Sequence, residues 1–237
     1  MGFMGNFAGH KALLAHQKGE YANAKTLYEQ ALAKGADKPA VLIGYAVLLG
    51  RLGEYEKSCE ILRKAEKAKG VTAQQKGQII THYSVAQHRL GNTARAISML
   101  EEVFRKGKSG TLYQILGYLY IEAGDYDKAL SFNQEAVDYD DEDAICLDNL
   151  AQAYYRLGGD KAAAKPWFEK ALAQKPGQID TLYFLSKYDM EEGRPQDAVE
   201  KLETALKGRL SSLNYADNDK LNEALAAAQQ QADAAQP

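Results

Sequence analysis

Residues 113–136 read YQILGYLYIEAGDYDKALSFNQEA. A single glycine, Gly124, separates two stretches in which Tyr113, Leu116 and Tyr120 are large while Gly117, Ala129 and Ala136 are small. Apolar residues recurring every three or four positions mark amphipathic helices. A glycine between two such stretches marks where the first helix stops, because it takes the left-handed backbone most readily. The stretch therefore predicts a helical hairpin.

The same hairpin recurs along the chain. Its turn glycine stands at Gly19, Gly53, Gly91, Gly124, Gly159 and Gly193, with spacings of 34, 38, 33, 35 and 34 residues. Five residues beyond each glycine the side chain is small: Ala24, Ser58, Ala96, Ala129, Ala164 and Ala198. Twelve beyond come Ala31, Ala65, Val103, Ala136, Ala171 and Ala205. Nine beyond, the residue is large (Tyr28, Leu62, Leu100, Phe168, Leu202), with Asn133 the exception. Seven before it the residue is small again: Ala12, Ala46, Ser84, Gly117 and Ser186, and Ala151 if the turn at Gly158-Gly159 holds one extra residue. Small residues at fixed points let two helices approach closely, and the large residue fills the hole between them. One hairpin cannot bury its apolar face alone, so the units must stack.

In this pattern the chain resembles the tetratricopeptide repeat family, whose signature over 34 residues is an aromatic, Leu-Gly and Tyr, then Ala-x3-aromatic, Ala and Pro. Tyr113, Leu116, Gly117, Tyr120, Gly124, Asp125, Tyr126, Ala129 and Ala136 match it in order, and the fifth repeat ends on Ala164, Phe168, Ala171 and Pro176. The resemblance runs over roughly residues 6–209. It implies an all-α, right-handed helical solenoid of about six hairpins, at about 5–38, 39–72, 77–109, 110–143, 144–177 and 178–209. A C-terminal capping helix is expected over 210–231, read from Asn214 to Gln231 with Asp217 or Asp219 as its cap, and a flexible tail over 232–237. Departures from the pattern predict local irregularity. Lys11 and Ala15 suit a terminal repeat, residues inserted around Lys69-Gly-Val-Thr-Ala predict a longer loop before repeat three, and Pro166 should kink the second helix of repeat five or delay its start.

Composition agrees with helices: 46% of the 237 residues are hydrophobic and 26% charged, with only five Pro. The net charge of −3 is unevenly distributed, since residues 1–110 carry 17 Lys/Arg against 9 Asp/Glu and residues 111–237 carry 12 against 23. Such asymmetry steers charged partners. Cys59 and Cys146 stand far apart with no metal-ligand or disulfide spacing, so buried thiols and a cytoplasmic setting are expected. No apolar run is long enough to span a bilayer, and residues 1–7 are too few to show an anchor from a longer precursor. A myristoylation reading of Gly2 fails at Asn6, where the motif needs Ser or Thr.

Signals for chemistry are weak. His10, His16, His82 and His88 form no ladder that would place two imidazoles on one helix face, and neither a metal nor a catalytic role is expected. The acidic run 138–143 has Asp143 where a calcium loop needs Gly, and Asn149 where it needs Glu. Phosphate loops, nucleophile elbows and dinucleotide fingerprints are missing from the sequence. The basic residues lack aromatic platforms for nucleic acid. The expectation is therefore a non-enzyme without cofactor, nucleic-acid partner or inserted membrane segment.

The resemblance implies that the first helices of the hairpins line a concave groove that receives a partner. Its contact positions fall here on Ile43 and Val47, on Thr81, His82 and Val85, on Gln114, Ile115 and Tyr118, on Asp148, Asn149 and Gln152, and on Tyr183, Phe184 and Lys187. The clamp with which one branch of the family grips a chaperone's terminal carboxylate is absent, since Gly9, Leu13, Gly44, Gln78 and His82 stand in its places. Asn149 would hold a peptide backbone through its amide, while Tyr118, Tyr183 and Phe184 would take apolar side chains. The leading reading is an adaptor or scaffold that binds a peptide or helix of a partner protein. The alternative is a structural or self-associating subunit of a larger, membrane-associated assembly, and the oligomeric state is open.

Overall fold

The computed structural model describes residues 2–234, with side chains from Met4 onward. Thirteen α-helices and no strand occur among them. The chain divides into two compact units, residues 1–107 and 108–237.

The first unit holds three hairpins: α1 (Gly2–Gln17) with α2 (Tyr21–Ala33), α3 (Pro39–Arg51) with α4 (Tyr55–Glu66), and α5 (Ala73–Arg89) with α6 (Thr93–Lys106). The second pairs α7 (Gly110–Ala123) with α8 (Tyr126–Tyr139), α9 (Ala144–Gln152) with α10 (Lys161–Gln174), and α11 (Ile179–Glu191) with α12 (Pro195–Leu206), followed by α13 (Asn218–Ala234). All six turn glycines adopt φ between +66° and +84°. A side chain there would be strained, which is why glycine closes each first helix. Every second helix then begins two residues later, at Tyr21, Tyr55, Thr93, Tyr126, Lys161 and Pro195.

The small and large positions form the core. Ala12, Ala46, Ser84, Ala151 and Ser186 on first helices are buried, as are Tyr28, Leu62, Leu100, Phe168 and Leu202 on second helices. Each large apolar side chain removed from water stabilises the fold by about 2 kcal/mol before conformational entropy is counted. The odd pair, Gly117 and Asn133, now has a reason. Asn133 is fully buried, and its Nδ2 donates to the carbonyls of Gly117 (3.2 Å) and Ala129 (2.8 Å). A Cβ on Gly117 would stand 2.1 Å from Asn133 Oδ1, so the glycine makes room for the amide.

The structure bears on four local expectations. The longer loop expected before repeat three is present, since residues 67–72 connect α4 to α5 with more residues than any other connection between hairpins, and α5 is itself 17 residues long. Thr72 accepts from Gln75 N while Gln75 reaches back to Thr72 N, a capping box that starts the helix early. The extra residue of repeat five sits inside the first helix rather than in the turn, as a π-helical turn over Ala153–Leu157, closed by Gly158 N donating to Ala153 O at 3.1 Å. Pro166 does not delay α10, which starts at Lys161 in the common register. The capping helix begins at Asn218 rather than Asn214, with Asp217 accepting from Lys220 N at 2.9 Å. It runs on through Ala232, Asp233 and Ala234, so the tail expected over 232–237 is helical up to Ala234, and 235–237 lie outside the described residues.

Candidate functional site: the first-helix faces

In the first unit the expected contact residues lie on α3 and α5. Ile43 is buried, whereas Val47, Thr81, His82 and Val85 are half-buried and keep part of their surface open. Burial, reinforced by the positive charge of Arg51, lowers the His82 pKa below its ordinary value, so the ring is neutral at physiological pH. At the α1 edge a cleft of about 350 Å³ is lined by residues that include His10, Leu13, Lys38 and Val41.

In the second unit most of the expected residues are already engaged. Gln114 donates to Asp143 Oδ2 at 2.6 Å, and its carbonyl accepts Asn149 Nδ2 at 2.9 Å. The Asn149 amide thus ties α9 to the backbone of α7 instead of standing free for a peptide. Asp148 is buried and accepts from Thr181 Oγ1 (2.5 Å) and Gln152 Nε2 (2.7 Å). The other end of Gln152 accepts from Arg156 Nη1 at 3.0 Å, and Arg156 Nη2 pairs with Glu122 at 2.7 Å. Lys187 places its ammonium 4.6 Å from the centre of the Tyr183 ring. Phe184, 1% exposed, stacks between Phe168 (5.0 Å, 16°) and Tyr215 (5.3 Å, 25°). It packs the interior and offers a partner no surface in this arrangement. Tyr118 and Tyr183 are likewise buried.

What covers these residues is the chain itself. The connection from α12 to α13 carries Asn214, Tyr215 and Ala216 across the first-helix face. Asp180 Oδ2 accepts from Asn214 Nδ2 (3.1 Å) and Tyr215 N (3.0 Å), and Asp180 Oδ1 accepts from Ala216 N (2.9 Å). The Tyr118 hydroxyl donates to Asn214 O at 3.5 Å. Tyr215 lies between Phe184 and the Arg156 guanidinium, which sits 4.0 Å from the ring centre, while Tyr183 meets it at 6.0 Å. The π-helical turn carries Arg156 into this position. Sequence reasoning missed Asp180, Arg156 and Tyr215. The readable signal was an aromatic residue placed in a connection between helices, where polar residues are the norm.

Burial raises the pKa of both carboxyls, and the charge of Asp180 adds to the effect at Asp148, which is pushed up to about 7. The three donors on Asp180, with the charge of Arg156, oppose the effect of burial there. The acidic run contributes caps: Asp143 accepts from Ile145 N (2.9 Å) and Cys146 N (3.1 Å), and Asp141 pairs with Lys170 at 3.4 Å. His16 packs edge-on to Tyr21 and Tyr28, and His88 bonds Thr93 Oγ1 at 3.0 Å. Both cysteines are buried free thiols. Among the described residues no His, Cys, Asp and Glu cluster is placed to hold a metal, and no helix is long and apolar enough to cross a membrane.

Models of the tetratricopeptide repeat match residues 15–79 and 110–176, together more than half of the chain. The chain belongs to the tetratricopeptide repeat family. The family's fold is one of protein–protein interaction scaffolds. This repeat protein is similar to a tetratricopeptide repeat protein of Parabacteroides merdae, with a TM-score of 0.74 and 17% identity over 94% of this chain and 83% of the other. It is similar also to PilW, a widely conserved type IV pilus biogenesis factor, with a TM-score of 0.66 and 18% identity over 94% and 98%. Among curated proteins, Superkiller complex protein 3 of Homo sapiens is 28% identical over 115 residues, 47% of this chain. The chain spans only 7% of that relative's length.

Proposed function

We propose that this repeat protein is a scaffold or adaptor that holds an extended peptide or a helix of a partner protein along the first-helix faces of its hairpins. One observation carries the reading: in the second unit that face already holds a non-helical segment, Asn214–Ala216, through backbone hydrogen bonds and aromatic stacking. Main-chain bonds supply affinity to an extended ligand and side-chain pockets supply selectivity. In the first unit the half-buried Val47, Thr81, His82 and Val85 supply a surface of the same kind, apolar with a neutral imidazole and hydroxyl among it. The excess of basic residues in 1–110 favours an acidic partner there. Membership of a named complex by the human relative is consistent with a scaffold.

The test is a photo-crosslinking residue placed singly at Val47, His82 and Lys187, with Leu52 and Tyr139 as exposed controls away from those positions. Crosslinked partner peptides are expected from the first three sites and not from the controls. Equal yields at all five sites would refute a groove-bound partner.

A further inference from the structure

The segment that covers the second unit's first-helix face also describes what that face recognises. Every hydrogen bond to the Asp180 carboxylate comes from it: one side-chain amide and two consecutive backbone N–H groups. Two N–H groups in a row converging on one carboxylate need a turning backbone, and Tyr215 and Ala216 stand in a bend ahead of α13. The aromatic between them is held on one side by Phe184 and on the other by a guanidinium that Glu122 and Gln152 fix in place. The following residue, Ala216, is completely buried, so a larger side chain has no room there. Asp180 is itself 3% exposed and has no acceptor capacity turned to bulk solvent while the segment is seated.

We propose that this face is a binding site for turning, non-helical partner segments of the form Asn-aromatic-Ala, and that residues 214–216 are a resident copy of that ligand which a partner must displace. The inference rests on the groove reading above and gives it a ligand chemistry. The Asn side chain and two main-chain N–H groups satisfy Asp180, the aromatic ring enters the slot between Phe184 and Arg156, and the small residue takes the buried place of Ala216. The resident segment is tethered on both sides, by α12 and α13, so it competes at a high effective concentration. A free peptide of the same sequence binds the native chain weakly for that reason, and releasing the resident ring opens the site.

The probe is a labelled, end-blocked peptide of residues 209–217, RLSSLNYAD, titrated by fluorescence anisotropy against the full chain. The Tyr215→Ala chain is expected to bind it at least about tenfold more tightly than the native chain, because its resident segment loses the ring that a partner would bring. Adding Asp180→Asn to Tyr215→Ala should cost about tenfold again, and a probe with Ala in place of its Tyr should not bind. A second measurement needs no variant: amide exchange at Tyr215 and Ala216 of the native chain should accelerate when the unlabelled peptide is in excess. Equal binding by native and Tyr215→Ala chains, or no binding by either together with unchanged exchange, overturns the proposal. If crosslinks at Val47 and His82 persist in that case, the groove reading stands and only the ligand assignment falls.

Discussion

Replacing Gly117 by Ala introduces a Cβ 2.1 Å from Asn133 Oδ1 and 3.1 Å from both Asn133 Cγ and Asn149 Nδ2. The Asn133 carboxamide must withdraw by about 1 Å, since heavy atoms do not approach much closer than 3 Å, and withdrawal weakens its bonds to Gly117 O and Ala129 O. Asn133 is fully buried, so no water replaces them. Lost hydrogen bonding of about 1–2 kcal/mol and overpacking of about 2 kcal/mol are offset by about 1 kcal/mol of helix propensity. The net expectation is a loss of about 2–3 kcal/mol. The other repeats supply the rescue: Ala46 with Leu62 occupies the same two places in repeat two without polar atoms. Asn133→Leu also removes Asn133 Oδ1, a buried acceptor that has no partner. The Gly117→Ala/Asn133→Leu double variant should therefore return to native stability or exceed it, giving a coupling energy of about 2–3 kcal/mol. Urea unfolding followed through Trp167, the only tryptophan and a residue of α10, reports on the second unit. Additive single-variant effects, with coupling below about 0.5 kcal/mol, would show that the two sites do not share space as described.

Ser84, whose buried hydroxyl has no partner, should tolerate Ala with no loss and a gain of up to about 1 kcal/mol in chemical denaturation, because Ala12 and Ala46 fill the same place elsewhere. Asp143→Ala removes the cap on Ile145 and Cys146 N–H and the bond from Gln114, and should lower stability by about 1–2 kcal/mol, read as a shift in the urea midpoint. Asp148 holds its proton more tightly folded, with a pKa of about 7, than unfolded, where carboxyls titrate near 4. Its contribution is therefore fully present below about pH 4 and is withdrawn as pH rises towards about 7. Comparing urea midpoints at pH 5 and pH 7.5, the native chain should lose more than Asp148→Asn does, and a parallel loss in both would remove Asp148 as the cause.

The hairpins were legible because their physics is local: a glycine at positive φ, a second helix two residues later, and side-chain sizes that must interlock at fixed spacing. Even the longer α5 was readable, since Thr72 and Gln75 stand three apart in capping-box order and set the helix start. The groove was legible only as a list of positions. Helical register says which face Asn149 and Phe184 occupy, but not that Gln114 O takes the Asn149 amide or that Tyr215 lies over the Phe184 ring. The Tyr215 contact depends on a non-helical connection more than thirty residues away from Asp180, which has no periodicity to read. Asp180 and Arg156 escaped notice for the same reason, as each acts through a partner distant in sequence. The extra residue of repeat five was counted correctly and assigned to the wrong place, because periodicity counts residues without locating the turn that absorbs them.

That wide turn at Ala153–Leu157 makes chain length act as an angular setting. One residue of an α-helix corresponds to about 100° of rotation. Deleting one residue from the turn would leave α10 in its common register and swing the side chains before Gly158 around the helix axis. Arg156 would then no longer face Tyr215. In this protein a single-residue change in length, with no change in residue type, is enough to take the guanidinium off the Tyr215 ring.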